Sequence, residues 1–311
     1  MARPSKNPLI PVRDGVSPSC VALPALKAGD ARWPGVIDFL AERLPAVDRG
    51  AWAERLANGE VLDDSGRPLA PEAPYRGGTR LYYYRALPGE PTVPFEEGLV
   101  FQDAHLVVAD KPHFLPVTPG GRYVQQSLLV RLKRRLGLED LSPIHRIDRE
   151  TAGLVAFAVR PQDRAAYQAL FRERAVHKVY EAIAPCRDDL AFPLVRRSRI
   201  VEEDGAFFRM CEAEGEANSE TRITLCERRG DWARYALEPV TGKRHQLRVH
   251  MNALGRPIAG DQFYPSVLRG PNEAEDFAVP LRLLAQTLAF DDPVTGEHRH
   301  FQSQRALDWP E

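Results

Sequence analysis

The chain has 311 residues, 43% hydrophobic and 27% charged, a composition typical of a globular protein long enough for two domains. Its 42 basic and 43 acidic residues give a net charge of −1, which argues against a protein that coats nucleic acid through charge alone. No apolar run has membrane-spanning length, and residues 1–11 lack the apolar stretch of a secretory signal, so we expect a cytoplasmic protein.

Residues 1–30 carry several prolines and show no periodicity, which predicts an irregular leader or arm. Apolar residues from Val36 to Leu44 then recur at helical spacing, and Pro45 ends that helix. A second helix is predicted after it, with its end at Asn58 and Gly59, because glycine favours the backbone conformation that follows a helix.

Short apolar segments at residues 60–62 and 81–84 predict strands after these helices. Residues 31–86 are therefore expected to form a small α/β module. Residues 87–94 contain prolines and a glycine, which is typical of a linker.

From residue 95 onward, short apolar runs alternate with turn signals. Leu128 to Leu136 predicts an amphipathic helix, and Leu154 to Val159 predicts a buried strand. Two more helices are predicted at 162–171 and 246–254, and further strands at 99–101, 106–109, 179–184, 223–226, 233–237, 283–290 and 298–301. This order predicts an α+β fold for residues 95–311, with a mixed, mostly antiparallel sheet and flanking helices.

The cysteines form no CxxC pair and have no histidine at metal-ligand spacing, so we expect reduced, structural thiols rather than a zinc site or disulfides.

Basic residues cluster in runs, and each run alone is more typical of a solvated face than of a phosphate track. The runs are Arg131, Lys133, Arg134 and Arg135; Arg196, Arg197 and Arg199; and Lys243, Arg244 and Arg248.

The segment from His145 to Leu154, HRIDRETAGL, is the most informative one for chemistry. It places a carboxylate, Asp148, between Arg146 and Arg149, and nearby positive charge favours an ionised carboxylate. An ionised aspartate can act as a nucleophile or stabilise charge. Taken alone, however, the segment is more typical of an Arg–Asp ion pair on a surface turn.

This segment resembles the signature of the RluA-type pseudouridine synthases, which is HR, an apolar residue, D, two variable residues, T, a small residue, G and L. Further blocks are similar to the family's in the same order: LVFQDAHLVVADKP at 99–112, KVYEA at 178–182 and TGKRHQLRVHMNALGRPIAGDQFY at 241–264. Residues 31–86 resemble the small RNA-binding module that a ribosomal protein shares with several RNA-modifying enzymes. Acidic residues offset the arginines of this copy, so the resemblance leaves open whether it binds RNA weakly or forms a structural cap.

The resemblance implies RNA as the partner, uridine isomerisation as the reaction, and no cofactor. Asp148 would attack carbon 6 of uracil or carbon 1′ of the ribose. Tyr180 would stack on the base and assist removal of the carbon 5 proton, and Arg248 would pair with Asp148. Arg146 would fill the space of the flipped-out base or contact a phosphate. Leu283 would line the uracil pocket, whereas the remaining expected substrate contacts are His145, Lys243 and Arg244.

Some positions depart from the family pattern. Leu284 replaces a histidine, Asp292 precedes Pro293 where a histidine is frequent, and the loop after His113 lacks another usual histidine. These departures leave the substrate subgroup open. We expect a monomer acting on large-subunit ribosomal RNA, because the N-terminal module resembles that of ribosomal-RNA enzymes.

Three alternatives remain at this point: a transfer-RNA enzyme, a non-catalytic RNA-binding family member, and a glycoside hydrolase. The hydrolase would need a second carboxylate beside Asp148, for which Glu150 and Asp261 are the nearest candidates by motif position.

Overall fold

The computed structural model describes residues 7–26, 32–85, 89–270 and 273–310. The chain divides into two compact units, Met1–Gly89 and Glu90–Glu311. Residues 87 and 88 of the expected linker lie outside the described residues. Its second half packs on the second unit: Val93 is buried, and Glu90 accepts backbone hydrogen bonds from Val124 and Gln126 at 2.7 and 2.6 Å.

The first unit contains two helices and a three-stranded antiparallel sheet of order β1-β3-β2. The elements are α1 (Val36–Arg43), α2 (Arg49–Ala57), β1 (Ser19–Ala22), β2 (Val61–Leu62) and β3 (Arg80–Tyr83). Phe39 and Leu40 of α1 and Trp52 and Leu56 of α2 are buried together, which is the amphipathic face that the sequence predicts.

Strand β1 is a correction to the interpretation of residues 1–30 as an irregular leader. Cys20 lies opposite Tyr82 of β3, so part of this region completes the sheet of the first unit. Its short sequence offers no alternation to detect, and pairing with β3 determines its conformation.

The second unit is built around an 11-stranded sheet, in which the strands of the main path follow the order β10-β9-β11-β12-β8-β13-β7-β5-β4. Its helices are α3 (Leu128–Leu136), α4 (Arg164–Arg172) and α5 (Gln246–Ala253). The strands are β4 (Gly98–Gln102), β5 (Leu106–Lys111), β6 (Ser142–Pro143), β7 (Ala152–Ala158), β8 (His177–Pro185), β9 (Leu194–Glu203), β10 (Ala206–Ala213), β11 (Ser219–Arg229), β12 (Trp232–Pro239), β13 (Leu283–Asp291) and β14 (His298–Gln302).

In this sheet β7 pairs with β13 in parallel, and the remaining pairs are antiparallel. The predicted α+β class with a mixed, mostly antiparallel sheet is therefore confirmed. None of the helices in the described part of the chain combines the length and apolar character needed to cross a bilayer.

The centre of the sheet is covered on both faces, which explains its continuous apolar strands. In β5, Val107 packs in one core cluster with Leu132 of α3, whereas Val108 packs in another with Tyr167 of α4. Successive residues of a strand point to opposite faces, so a strand between two layers must be apolar at every position. All residues of β7 are accordingly buried.

Strands β9 and β10 were not predicted, because their sequences are polar and partly exposed. Two arginines of the second basic run form cross-strand pairs: Arg196 with Glu212, and Arg197 Nε with Glu220 at 2.9 Å. These arginines therefore support strand pairing rather than a free basic surface.

Candidate active site

The loop between β6 and β7 carries Asp148 into an open cleft of about 1170 Å³. Gly153, at the start of β7, has a φ of +110°, and a Cβ there would lie 2.3 Å from the carbonyl oxygen of Ala285. A glycine is therefore required where β7 and β13 approach each other in parallel. This close approach fixes the end of the Asp148 loop against the sheet.

The cleft gathers the predicted site residues from elements far apart in sequence. Asp148, Tyr180, Arg248, Arg146, His145, Leu283, Lys243 and Arg244 all line it. Their roles remain predictions, whereas their common location is a property of the fold.

Arg248 is the central cation of the cleft floor, and its side chain is only 1% exposed. It donates to both carboxylate oxygens of Asp261, from Nε at 2.8 Å and from Nη2 at 2.6 Å. Its Nη1 lies 3.4 Å from Oδ2 of Asp148 and 3.6 Å from Oε2 of Glu150. Burial lowers the pKa of Arg248, but these three carboxylates outweigh burial and hold that pKa above its ordinary value.

The expected Arg248–Asp148 contact is thus present but long, and Asp261 is the main partner of Arg248. Asp261 also accepts the backbone N–H groups of Phe263 and Tyr264, at 2.9 and 3.2 Å. One oxygen of Asp148 faces the guanidinium while its side chain stays 25% exposed, so the carboxylate is oriented yet open to the cleft.

The arginines that flank Asp148 in sequence behave differently from the expectation. Within the described residues neither Arg146 nor Arg149 pairs with Asp148. Arg149 instead donates to Glu150 at 2.8 Å and Glu275 at 2.5 Å. The charge beside Asp148 comes from Arg248, which lies 100 positions away and could not be recognised from local spacing.

Glu150 is a buried anion rather than an acid. Burial raises its pKa, but Arg149 and Arg248 outweigh burial and lower that pKa to about 2. Its Oε1 also accepts from Gln262 Nε2 at 3.0 Å. Glu150 is therefore not suited to donate a proton as the second carboxylate of a hydrolase, and both carboxylate oxygens of Asp261 accept hydrogen bonds from Arg248.

Tyr180 lies in the middle of β8, opposite Leu237 of β12 and Ala285 of β13. Burial, with a further contribution from the charge of Asp148, raises the pKa of its phenol. Tyr180 is therefore neutral at neutral pH. Among the described residues its hydroxyl has no hydrogen-bond partner, so ring and hydroxyl are both available to a ligand in the cleft.

The histidines of the motifs are mostly part of the framework. His145 Nε2 accepts from the backbone N–H of Ala156 at 3.1 Å, and its ring stacks on Phe171 with centroids 4.5 Å apart. Burial, and secondarily the charge of Lys178, lowers the pKa of His145 to about 3, so it is neutral. His245 Nδ1 lies 3.1 Å from the hydroxyl of Tyr264 just before α5.

The rim of the cleft carries cations of another kind. Arg146, Arg174 and Lys243 are exposed, and their side chains form no hydrogen bond or ion pair within the described residues. Arg244 is also exposed, but its Nη1 donates to the backbone carbonyl of Phe207 at 2.7 Å. We call Arg146, Arg174 and Lys243 the rim cations.

Sequence reasoning missed three contributors to this site: Lys111, Phe207 and the rim cation Arg174. Lys111 is fully buried below the Asp148 loop, where its Nζ donates to the carbonyls of Pro112 and Arg149, both at 2.9 Å. Its presence in the first motif block was the available signal. Phe207, on the cleft rim, belongs to no block and gave no signal.

The departures from the family pattern have local structural roles. Leu284 is buried with Ile183 and Leu307, where an apolar side chain fits. Asp292 is buried in the turn before β14, where it accepts from Val294 N at 2.9 Å and from the hydroxyl of Tyr167 at 3.0 Å. Neither residue lines the cleft.

Within the described residues, no group of three or more His, Cys, Asp or Glu side chains is placed to hold a metal ion.

The sequence was compared with known proteins. Residues 105–253 match the family model of RNA pseudouridylate synthases. An RNA pseudouridine synthase of Synechocystis sp. is 32% identical over 232 residues, covering 74% of this chain and 79% of the relative. The dual-specificity RNA pseudouridine synthase RluA of Pasteurella multocida is 32% identical over 223 residues, covering 70% of this chain and 96% of the relative.

A solved structure shares the fold. Human RNA pseudouridylate synthase domain containing 1 aligns over 70% of this chain and 86% of its own, with a TM-score of 0.57 and 23% identity. The sequence relatives establish more than the fold, because their similarity extends over most of both chains. The chain therefore belongs to the RluA-type family of RNA pseudouridine synthases, enzymes that isomerise uridine in RNA.

Proposed function

We propose that the protein converts a uridine of large-subunit ribosomal RNA to pseudouridine, with Asp148 as its nucleophile. The observation that carries this proposal is the environment of Asp148: a part-exposed carboxylate at the cleft floor, 3.4 Å from the buried guanidinium of Arg248. That guanidinium is fixed by Asp261 and keeps Asp148 oriented toward the cleft.

In this mechanism the Asp148 carboxylate forms a bond to carbon 6 of uracil or to carbon 1′ of the ribose. The bond between N1 and carbon 1′ breaks, the base turns, and carbon 5 bonds to carbon 1′. Release of Asp148, loss of the carbon 5 proton and protonation of N1 complete the isomerisation without any redox change. Both points of attack are compatible with the position of Asp148.

Tyr180 has a narrower role in this proposal than the one expected from the sequence. Because its phenol is neutral, it cannot accept the carbon 5 proton without first losing its own. We assign to its ring the stacking of the base, and to its hydroxyl a hydrogen bond that guides the turning uracil. The proton then needs an anionic acceptor, and Asp148 regains its charge at that stage.

The target uridine must leave the RNA stack before it can reach Asp148, at a cost of a few kcal/mol. Arg146 is exposed at the rim two residues before Asp148 and has no partner within the described residues. We propose that it fills the space that the base vacates, whereas Lys243 contacts phosphate.

The choice of ribosomal RNA depends on the N-terminal unit, whose resemblance is to a module of ribosomal-RNA enzymes. Its cations are partly neutralised: Arg49 pairs with Asp38, and Arg32 pairs with Glu42. This pairing favours a weak RNA contact there. Transfer RNA is the second candidate, because the Pasteurella relative is described as dual-specificity.

The test is tritium release from RNA labelled at uridine carbon 5, with ribosomal and transfer RNA supplied separately. Release by the native protein and none by Asp148→Ala would support the reaction and its nucleophile. A pseudouridine missing from transfer RNA in cells without the gene, with ribosomal RNA unchanged, would contradict the ribosomal assignment. We further propose that the enzyme acts as a cytoplasmic monomer, which light scattering and cell fractionation would test.

A further inference from the structure

Phe207 is an exposed aromatic residue on the rim of the cleft. It lies at the start of β10, just after the turn at Asp204 and Gly205 that joins β9 to β10. Its side chain is 74% exposed although it lines the cleft. Single exposed apolar residues are common on protein surfaces, but an aromatic ring at the mouth of a cleft offers a face on which a nucleobase can stack.

The backbone at Phe207 is anchored while its ring projects. Arg244 Nη1 donates to the Phe207 carbonyl at 2.7 Å. The ring of Phe208 meets that of Phe207 edge-on at 5.6 Å and packs on Phe263 of the core at 5.3 Å. The β9–β10 register shifts between Ala206 and Met210, so the intervening residues leave the regular ladder. The hairpin therefore holds Phe207 in a fixed position.

The charges around Phe207 indicate which ligand it suits. Lys243 and Arg244 are exposed on the same cleft; Arg244 Nη1 lies 3.8 Å from Glu202 Oε1, whereas the Lys243 side chain has no partner within the described residues. An aromatic face beside cations is the arrangement by which proteins bind unpaired nucleotides, with the ring stacking on a base and the cations contacting phosphate.

We propose that Phe207 is a stacking platform for an unpaired nucleobase next to the target uridine. The inference rests on the proposed function and deepens it: the substrate uridine lies in a single-stranded loop, and at least one neighbouring base is unpaired and turned toward the β9–β10 hairpin. Arg244 is then a positioning residue, since it fixes the backbone from which the ring projects.

The experiment uses the full chain and hairpin RNAs that carry a loop uridine with 2-aminopurine immediately 5′ or 3′ of it. Native protein, Phe207→Ala, Phe207→Trp and Leu268→Ala are compared by binding affinity and 2-aminopurine fluorescence. Leu268 is the matched control, because it is 76% exposed and does not line the cleft.

Stacking predicts that native protein quenches the probe in one of the two flanking positions. Phe207→Ala should lose this quenching and bind about 5- to 150-fold more weakly, the range expected for one stacked base. Phe207→Trp should retain both properties, and Leu268→Ala should behave as native.

Equal quenching and affinity for Phe207→Ala and native protein would overturn the inference. So would a change in sedimentation without a change in RNA binding, which would assign Phe207 to self-association. Tritium release by the native protein on the same hairpins reports separately on the proposed function, because binding and fluorescence do not depend on turnover.

Discussion

Basic residues have opposite environments on the floor and on the rim of the cleft. On the floor, Arg248 and Arg149 are each held between carboxylates and are at most 17% exposed. On the rim, Arg146 and Lys243 are exposed and unpaired within the described residues. A buried guanidinium needs a partner, whereas an exposed cation without one keeps its charge for an external anion. In the proposed function, the floor thus provides geometry, and the rim attracts RNA.

Asp148 is the proposed nucleophile on the floor, so its replacement gives the largest expected effect. Asp148→Asn should reduce the single-turnover rate constant by at least about 10⁴-fold, the scale seen when a nucleophile is removed. RNA affinity should change little, because the rim is intact. Tritium release and filter binding measure the two quantities. Asn retains the size of Asp, so weakened binding together with residual activity would contradict a purely catalytic role.

Breaking the floor should cost stability as well as activity. Asp261→Asn removes the main partner of a guanidinium that is only 1% exposed. Urea unfolding should show a loss of up to about 3–5 kcal/mol, because the buried guanidinium loses its two short charged hydrogen bonds and keeps only the longer contacts with Asp148 and Glu150.

The matched control is Asp188→Asn, which removes the partner of Arg228 on the surface. There the loss should be much smaller, because solvent screens an exposed ion pair. Similar losses for the two variants would mean that the Arg248–Asp261 pair is not the anchor of the floor.

The fold shows a similar contrast, between strands that the sequence predicted and strands that it did not. Strands β5 and β7 are covered on both faces and were predicted from their apolar runs. Strands β9 and β10 were missed, because their polar residues pair with neighbouring strands instead of filling a core. Charged cross-strand pairs such as Arg196 with Glu212 leave no apolar periodicity in either strand.

For the candidate site, the motif blocks identified side chains that the fold does bring to one cleft. Through the family resemblance they also identified the pairing of Arg248 with Asp148, but not the partners that depend on tertiary geometry alone, such as Asp261 for Arg248 and Glu275 for Arg149. Arg149 lies next to Asp148 in sequence and pairs with Glu150 and Glu275, whereas Arg248 reaches Asp148 from α5. The rim residue Phe207 could not be found either, since an exposed aromatic residue is recognisable only after folding.

His145 lines the cleft, and its burial should make the free energy of unfolding depend on pH. Its folded-state pKa of about 3 lies below the ordinary value of 6.5, so the unfolded chain takes up a proton first as the pH falls. Stability should therefore be unaffected above pH 6.5 and fall below it, by about 1.4 kcal/mol per pH unit for this group.

Denaturant titrations from pH 7.5 downward measure this slope. His145→Gln should reduce this slope, since glutamine takes up no proton, whereas His113 and His250, whose pKa burial likewise lowers to about 4, keep their share of it. The control is a variant of His298, whose side chain is 68% exposed, and it should leave the slope unchanged. An unchanged slope for His145→Gln would mean that other groups cause the acid sensitivity.

The rim offers the smallest effect and the finest distinction. Lys243→Ala should raise KM and leave kcat unchanged, and it should reduce the slope of log affinity against log salt by about 0.7–0.9, the contribution of one phosphate contact. Arg146→Ala should also lower kcat if Arg146 fills the space of the flipped base. Stability should change by less than about 0.5 kcal/mol in both variants, because neither side chain has a partner to lose within the described residues.

Arg228→Ala, outside the cleft, controls for general loss of positive charge. If Arg146→Ala and Lys243→Ala both change KM alone, then both residues only bind phosphate. The space that the flipped base leaves must then be filled by another group. If Arg146→Ala lowers kcat even at saturating RNA, the rim takes part in base flipping. Arg146 would then act in the reaction as well as in binding. The division into a floor that fixes geometry and a rim that attracts RNA would not hold for this residue.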